Sequence, residues 1–313
     1  MTQIPFTKVV GTGNDFVLVD ARNKRAKLPK AQWPAISRAW CDRHKGIGAD
    51  GILVLEPSKK ADVAMRIFNA DGSEAEMCGN GARCAVVYVN QQRRNKNGGT
   101  VTLQTLAGML SAKIRGNQVA MTMTEPVDLR PHFTLNVEGQ SMQMGFVNTG
   151  VPHIVVPVEG LETVDVVDLG RTLRNHAQFA PRGTNVNFIQ ADRKNPDHIQ
   201  IRTYERGVEA ETLACGTGVV ASAILHAVRS YDLTAPRKVS RRIGVSVRSG
   251  DRLRVSMDLS SNGRAISVSH VVLEGPAKRV FDGIAQWPPR RSGAPNIMRM
   301  WPRCERQRAR CKE

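Results

Sequence analysis

Apolar residues along this chain fall into short runs broken by Gly, Asn, Asp and Pro, and two distant stretches repeat the same succession. "VGTGNDFVLVD" (10–20) and "VNTGVPHIVVP" (147–157) each set a Thr-Gly turn before a run of β-forming residues. "MRIFNADGSEAEMCGNG" (65–81) and "IRTYERGVEAETLACGTG" (201–218) each read as strand, aromatic, polar turn, Glu-Ala-Glu and cysteine. Behind the cysteines, "GARCAVVYVNQQ" and "GVVASAILHAVRS" have helical length and apolar spacing, and both begin beside glycines whose backbone can approach a ligand. Hairpins follow in both places, one turning at Arg115-Gly116-Asn117 and the other at Ser249-Gly250-Asp251. Gly13 to Cys78 is 65 positions, and so is Gly150 to Cys215. An equal offset across matches in the same order marks an internal duplication.

The pattern predicts an α+β fold of two pseudo-symmetric, strand-rich domains, each with a cysteine-capped central helix and with the active site in the cleft between them. The expected divisions are 1–123, with 270–284 packing back onto it, then 124–269, and a basic, weakly ordered tail over 285–313. A chain of 313 residues has room for two such cores. No apolar run approaches the ~18 residues of a membrane span, and "MTQIPFTKVVGTGNDF" lacks the charged and apolar regions of a secretory signal, so a cytoplasmic protein is expected.

Charge changes this picture little. Lys and Arg number 45 against 28 Asp and Glu, a net charge of +17, but the last 28 residues carry eight basic and two acidic side chains and the rest stands at +11. A solvated appendage is the favoured reading of that tail over nucleic-acid contact. With 5% aromatic residues the chain is also poorly supplied for base stacking. The six cysteines (41, 78, 84, 215, 304, 311) are too few for their spread to form a disulfide framework, and with no CxxC and loose spacing they do not match a metal site. "GTGVVA" (216–221) fits a dinucleotide fingerprint but lacks a strand running into its first glycine and an acidic residue about twenty positions on.

Two cysteine turns facing each other suit one chemistry. Inverting a carbon stereocentre by proton transfer needs one group to remove the proton from one face and another to deliver one to the opposite face. A thiol, with an ordinary pKa near ~8.5, serves as either acid or base near neutrality. A helix N-terminus favours its thiolate, and the same free amides can hold a substrate carboxylate and the enolate-type charge that develops on it.

"GTGNDF", "CDRHKGIGADG" (41–51), "RIFNADGSEAEMCGNGARC" (66–84), "NVNF" (185–188) and "YERGVEAETLACGTG" (204–218) resemble the motifs of diaminopimelate epimerases, and the resemblance spans residues 5 to about 284. It implies an isomerase that interconverts LL- and meso-diaminopimelate for lysine and cell-wall precursors without pyridoxal phosphate or any other cofactor. By that resemblance Cys78 and Cys215 are the catalytic pair, assisted by His153 and Glu205. Gly79, Asn80, Gly216 and Thr217 match loops around the reacting carboxylate and ammonium. Asn14, Asn69, Asn185, Glu205 and Arg206 match positions that hold the substrate, mostly at its distal end. A small-molecule substrate is the partner implied, and a homodimer is compatible with it.

Two positions depart from the family pattern: Gly51 stands where many members carry glutamine, and Val151 where many carry asparagine before Pro-His. Reaction type is therefore better fixed than substrate. A related diamino acid, or contacts from Asn187 or Asn148 instead, stays open. So do another cofactor-independent amino-acid racemase, which Asn80 and Glu205-Arg206 disfavour where the substrate is proline-like, and a nucleic-acid-binding protein acting through the tail.

Overall fold

The apolar runs become strands buried on both faces. In the computed structural model, which describes residues 2–23, 26, 28–93, 99–230 and 236–288 and the backbone of 298–300, the first half runs β1 (Thr2–Gly11), β2 (Asn14–Asp20), α1 (Trp33–Cys41), β3 (Gly51–Glu56), β4 (Val63–Asn69), β5 (Glu74–Ala75), α2 (Gly79–Gln92), β6 (Thr100–Thr105), β7 (Gly108–Arg115) and β8 (Gln118–Thr122). The second runs β9 (Val127–Val137), β10 (Gln140–Asn148), β11 (Pro152–Pro157), α3 (Val166–Arg174), β12 (Asn185–Ala191), β13 (His198–Glu205), β14 (Ala210–Thr212), α4 (Gly216–Arg229), β15 (Arg237–Ser246), β16 (Arg252–Ser261) and β17 (Ile266–Pro276). β18 (Lys278–Trp287) and β19 (Met298–Met300) follow.

The two halves have the same topology. Strands pair in the order β18-β1-β2-β3-β4-β6-β7-β8 in one and β9-β10-β11-β12-β13-β15-β16-β17 in the other. The parallel neighbours are β2/β3 and β4/β6 in the first, and β11/β12 and β13/β15 in the second. In each half the eight strands surround the helix that follows the cysteine: α2 touches every strand of its half and α4 every strand of its own. Encirclement explains why both helices are buried on almost every side rather than along one stripe.

Alternation within the strands serves two cores at once. Phe16 and Leu18 face α2, while Val17 and Val19 face outward to Trp33, Ile36 and Trp40 of α1. In the second half Val155 faces α4, and Ile154 and Val156 pack outward with Val166 and Leu173 of α3. A strand covered on both faces reads as an unbroken apolar run, which is the form these segments take in the sequence.

The halves join edge to edge. β8 and β17 pair antiparallel, with Val119 opposite Gly275 and Met121 opposite Leu273. β17 pairs with β16 from Ile266 to Glu274 as well, so it belongs to both halves across the expected division at 270. β18 then returns to β1. Residues 285–287, assigned to the tail from sequence, lie in this strand opposite Ile4, Gln3 and Thr2. They stay in the sheet because Ala285 is buried in the core around α1 and the Trp287 indole N–H donates to Gln32 Oε1 at 3.1 Å. The backbone of β19 pairs with Asp282, Gly283 and Ile284, while 289–297 and 301–313, with Cys304 and Cys311, lie outside the described residues. Among the described residues no helix is long and apolar enough to cross a membrane.

Candidate active site

Each cysteine stands at the N-cap of an encircled helix in extended backbone, Cys78 before α2 and Cys215 before α4. The arm leading to each is held by a forked ion pair. Arg66 of β4 binds both oxygens of Glu74 at 2.6 and 2.8 Å, and Arg202 of β13 binds both oxygens of Glu211 at 2.7 and 2.8 Å. Each glutamate lies four residues before its cysteine, so the clamp fixes where the turn leaves the sheet.

The turns face one another over the joint between the halves. A Cβ built on Gly216 would stand 3.9 Å from the Gly79 Cα and 3.5 Å from Leu273, and one built on Gly79 would stand 3.6 Å from Met121. Met121 and Leu273 are the opposed residues of β8 and β17. Glycine at 79 and 216 thus keeps free the space between the helix ends. Asn80 crosses it, its Nδ2 donating to the Ala214 carbonyl at 3.3 Å and to Asn14 Oδ1 at 2.6 Å.

The two sulfurs are not alike. Cys78 is half-buried and accepts the Gly81 N–H at 3.5 Å. Cys215 is 8% exposed, accepts no bond that caps α4, and lies 3.4 Å from the Thr217 hydroxyl. Burial pushes the Cys78 thiol up, Glu205 adds to this, and the Gly81 and Asn80 amides and Arg83 pull it back. Burial, then Glu205, pushes Cys215 up to about 12, against smaller opposing effects of Thr217 and the Gly218 amide. Glu205 is half-buried, and burial raises its carboxyl as well. A carboxylate acting on both sulfurs holds both toward the neutral thiol.

His153 is completely buried in β11, opposite Asn185 of β12. Burial and then the Arg206 charge bring it down to about 3, so the imidazole is neutral. Asn187 fixes the ring through a 3.1 Å contact to Nδ1, and Nε2 has no partner among the described residues. Asn185 gives Nδ2 to the Pro152 carbonyl and accepts the Arg206 N–H on Oδ1, holding the loop that carries Arg206. Arg206 itself is half-buried and forms no ion pair among the described residues. Asn14 is held by Asp50, which accepts its Nδ2 at 2.8 Å and is itself held by Arg43. Asn69 lies beside this group, opposite Gly51 of β3, but it is exposed and its side chain is bonded to Ser73 within its own turn.

One of the two departures has a structural reason, and nothing in the structure explains Val151. A Cβ at Gly51 would lie 2.6 Å from the Phe68 carbonyl oxygen of the neighbouring strand, so this backbone has no room for glutamine. Asn187 is committed to Ile154, His153 and Thr203, and Asn148 Oδ1 accepts the Gly150 N–H. Asn187 is therefore not left to replace the missing contacts, and Asn148 keeps its Nδ2 free among the described residues.

Sequence reasoning passed over Arg83. It lies one turn into α2, fully buried, and its Nη2 donates to Asn80 Oδ1 and Thr12 Oγ1 at 2.6 Å each. Its Nε and Nη1 have no hydrogen-bond partner among the described residues. A cation inside an apolar helix was the available signal, but nothing in the sequence says that strands close around that face. A surface groove of about 500 Å3 beside His198, Arg242 and Arg254 contains neither cysteine, and the site is assigned by its chemistry.

The family model for diaminopimelate epimerase matches residues 6–129 and 145–279. The diaminopimelate epimerase of Aquifex aeolicus is 41% identical over 286 residues, covering 89% of this chain and 96% of that protein. That of Archaeoglobus fulgidus is 38% identical over 298 residues, covering 90% and 96%. Among solved structures, a PhzF-family phenazine biosynthesis protein of Bacillus anthracis superposes with a TM-score of 0.68 at 16% identity, over 91% of this chain and all of that one. A hydroxyproline epimerase of Agrobacterium vitis, with bound trans-4-hydroxy-L-proline, superposes at 0.63 and 17% identity, over 90% and 92%. These structures share the doubled, strand-rich architecture, and the match of motifs and length carries the assignment further: the chain belongs to the diaminopimelate epimerase family.

Proposed function

We propose that this protein interconverts LL- and meso-2,6-diaminopimelate by a two-base mechanism in which Cys78 and Cys215 address opposite faces of one α-carbon. The observation that carries the reading is the pair of cysteine-headed helices directed at one gap, with Gly79 and Gly216 leaving it open. A thiolate on one side removes the α-proton, the thiol on the other delivers one, and the enzyme returns with the roles exchanged. The first-turn amides of α2 and α4 receive the reacting carboxylate and offset the charge that builds on it. Asn80 and Thr217 line that end, while Asn14, Asn69, Asn185 and Arg206 are assigned to the distal amino-acid group. Neutral His153 and Glu205 assist the proton transfers, Glu205 by keeping the resting acid protonated. The site operates without a cofactor, in the cytoplasm.

Incubation with LL-diaminopimelate in deuterated water, without pyridoxal phosphate, tests this. The expected result is α-deuterium in the meso product. Unchanged substrate, or deuterium entering a different diamino acid in preference, overturns the substrate assignment.

A further inference from the structure

The doubled fold contains one charge that it does not double. At the same distance beyond Cys215 as Arg83 stands beyond Cys78 lies Val220, also fully buried. We propose that Arg83 is a positioning residue that sets the two sulfurs apart, its guanidinium fixing the Asn80 carboxamide and assigning the resting thiolate to Cys78 rather than to Cys215. This rests on the two-thiol reading of the site and adds to it the order of ionisation.

A buried guanidinium with two unpartnered nitrogens needs an anion nearby. The groups that face it are few. Cys84 lies on α2, Cys78 caps its N-terminus, and Asp251 lies in the turn between β15 and β16. Asp251 forms no ion pair with Arg83, and its carboxylate accepts the Ser249 hydroxyl at 2.8 Å. Cys84 is 1% exposed, packed against Gly11 and pushed by burial up to about 12. That leaves Cys78: a Cβ built on the next residue, Gly79, would stand 3.9 Å from Arg83 Nη1, and Cys78 is half-buried and already accepts the Gly81 N–H. Across the gap Cys215 has the Thr217 hydroxyl and the Gly218 amide, and no cation acts on it among the described residues. Glu205, at the end of β13, raises both, next after burial for Cys215 and behind the Gly81 and Asn80 amides for Cys78, so it works in the same direction as Arg83.

The test follows each thiol separately, by peptide mapping after reaction with dithiodipyridine over a range of pH, in the parent and in Arg83→Lys and Arg83→Met. In the parent, Cys78 reacts before Cys215. In Arg83→Met its midpoint rises by about one pH unit or more, and its rate at neutral pH falls about threefold, because a tenfold smaller thiolate fraction is partly offset by a more nucleophilic thiolate. Arg83→Lys keeps the charge and holds the midpoint within about half a unit, while that of Cys215 moves less than about 0.3 unit in either variant. Cys215 reacting first in the parent, or both midpoints moving together, overturns the proposal. If Arg83→Met does not fold, Arg83→Gln, which keeps hydrogen-bond donors and loses the charge, decides the matter by the same rise in the Cys78 midpoint, and an unmoved midpoint there overturns the proposal. No diaminopimelate enters this measurement, so its outcome is independent of the deuterium experiment.

Discussion

The turn at Cys78 and the turn at Cys215 share a scaffold and differ in almost every polar side chain around it. Both have a clamped arm, an N-cap cysteine, a glycine next and a second glycine pressed against the sheet; a Cβ would meet Leu53 at 2.9 Å from Gly81 and Asn187 Oδ1 at 2.4 Å from Gly218. Where the first turn has Asn80, Arg83 and Thr12 in one network, the second has Thr217 and Val220, with Thr149 donating to the Thr217 carbonyl at 3.1 Å. In the two-thiol mechanism proposed above, the common backbone serves to bring each sulfur to one carbon from a fixed direction. The differing side chains serve the different groups that the substrate would present to each half.

Removing either sulfur breaks the comparison most severely. Cys78→Ala and Cys215→Ala should each lower epimerisation at least ~10²-fold with an unchanged circular dichroism spectrum, since neither face has a substitute acid or base. Rates within tenfold of the parent in either variant contradict a pair of essential thiols. The intact pair should give a bell-shaped rate profile, with its acid limb marking loss of the thiolate and its alkaline limb loss of the thiol. A rate flat from about pH 5 to pH 10 would exclude it.

His153 sharpens the comparison through stability, because its counterpart before Gly51 in the first half is the untitratable Phe16. Its folded pKa, about 3, lies below the ordinary 6.5, so the unfolded chain takes up a proton that the folded chain refuses. Stability from this group is therefore full above pH 6.5 and declines as pH falls toward 3, by at most about 1.4 kcal/mol per pH unit. Between pH 7 and 4.5 the urea-derived stability of His153→Asn should fall by about 2–3 kcal/mol less than that of the parent. Equal declines would mean that the ring protonates freely.

The smallest effects concern the clamps. Arg202 and Glu211 are 11% and 19% exposed, and Arg66 and Glu74 are 18% and 28%. Arg202 also donates to the carbonyls of Leu161, Glu162 and Val164. Glu211→Gln should cost about 1–2 kcal/mol in thermal or urea unfolding and Glu74→Gln about 0.5–1. The reverse order would show that solvent screening does not distinguish them.

What was legible in the sequence is what repeats locally. The helices after the cysteines and the hairpins turning near Gly116 and Gly250 follow from period and turn chemistry, and their doubling pointed to a cleft between halves. The nine-residue helices α1 and α3 were not read, since "WPAISRAWC" and "VVDLGRTLR" are short and their exposed faces interrupt the apolar pattern. The pairing of β8 with β17 joins residues some 150 positions apart and leaves no local trace. The cysteines announced themselves by duplication; Arg83 has no duplicate, and its meaning comes only from the strands that surround it. The Asn residues beside turn glycines looked alike in sequence, yet Asn14 is tied into the network of Asn80 while Asn69 is bonded within its own turn.

The edge-to-edge joint also bears on how such a molecule can vary. An antiparallel pair of equivalent strands is what a twofold axis generates, so two separate copies of one half could meet as β8 and β17 do and form the same gap as a homodimer. In that assembly every substitution would be written twice, and a guanidinium behind one sulfur would bring a second behind the other. Fusing the copies into one polypeptide frees each half to mutate alone. The single chain can place a buried cation at position 83 and keep valine at 220, and so give an inherited symmetry a preferred direction.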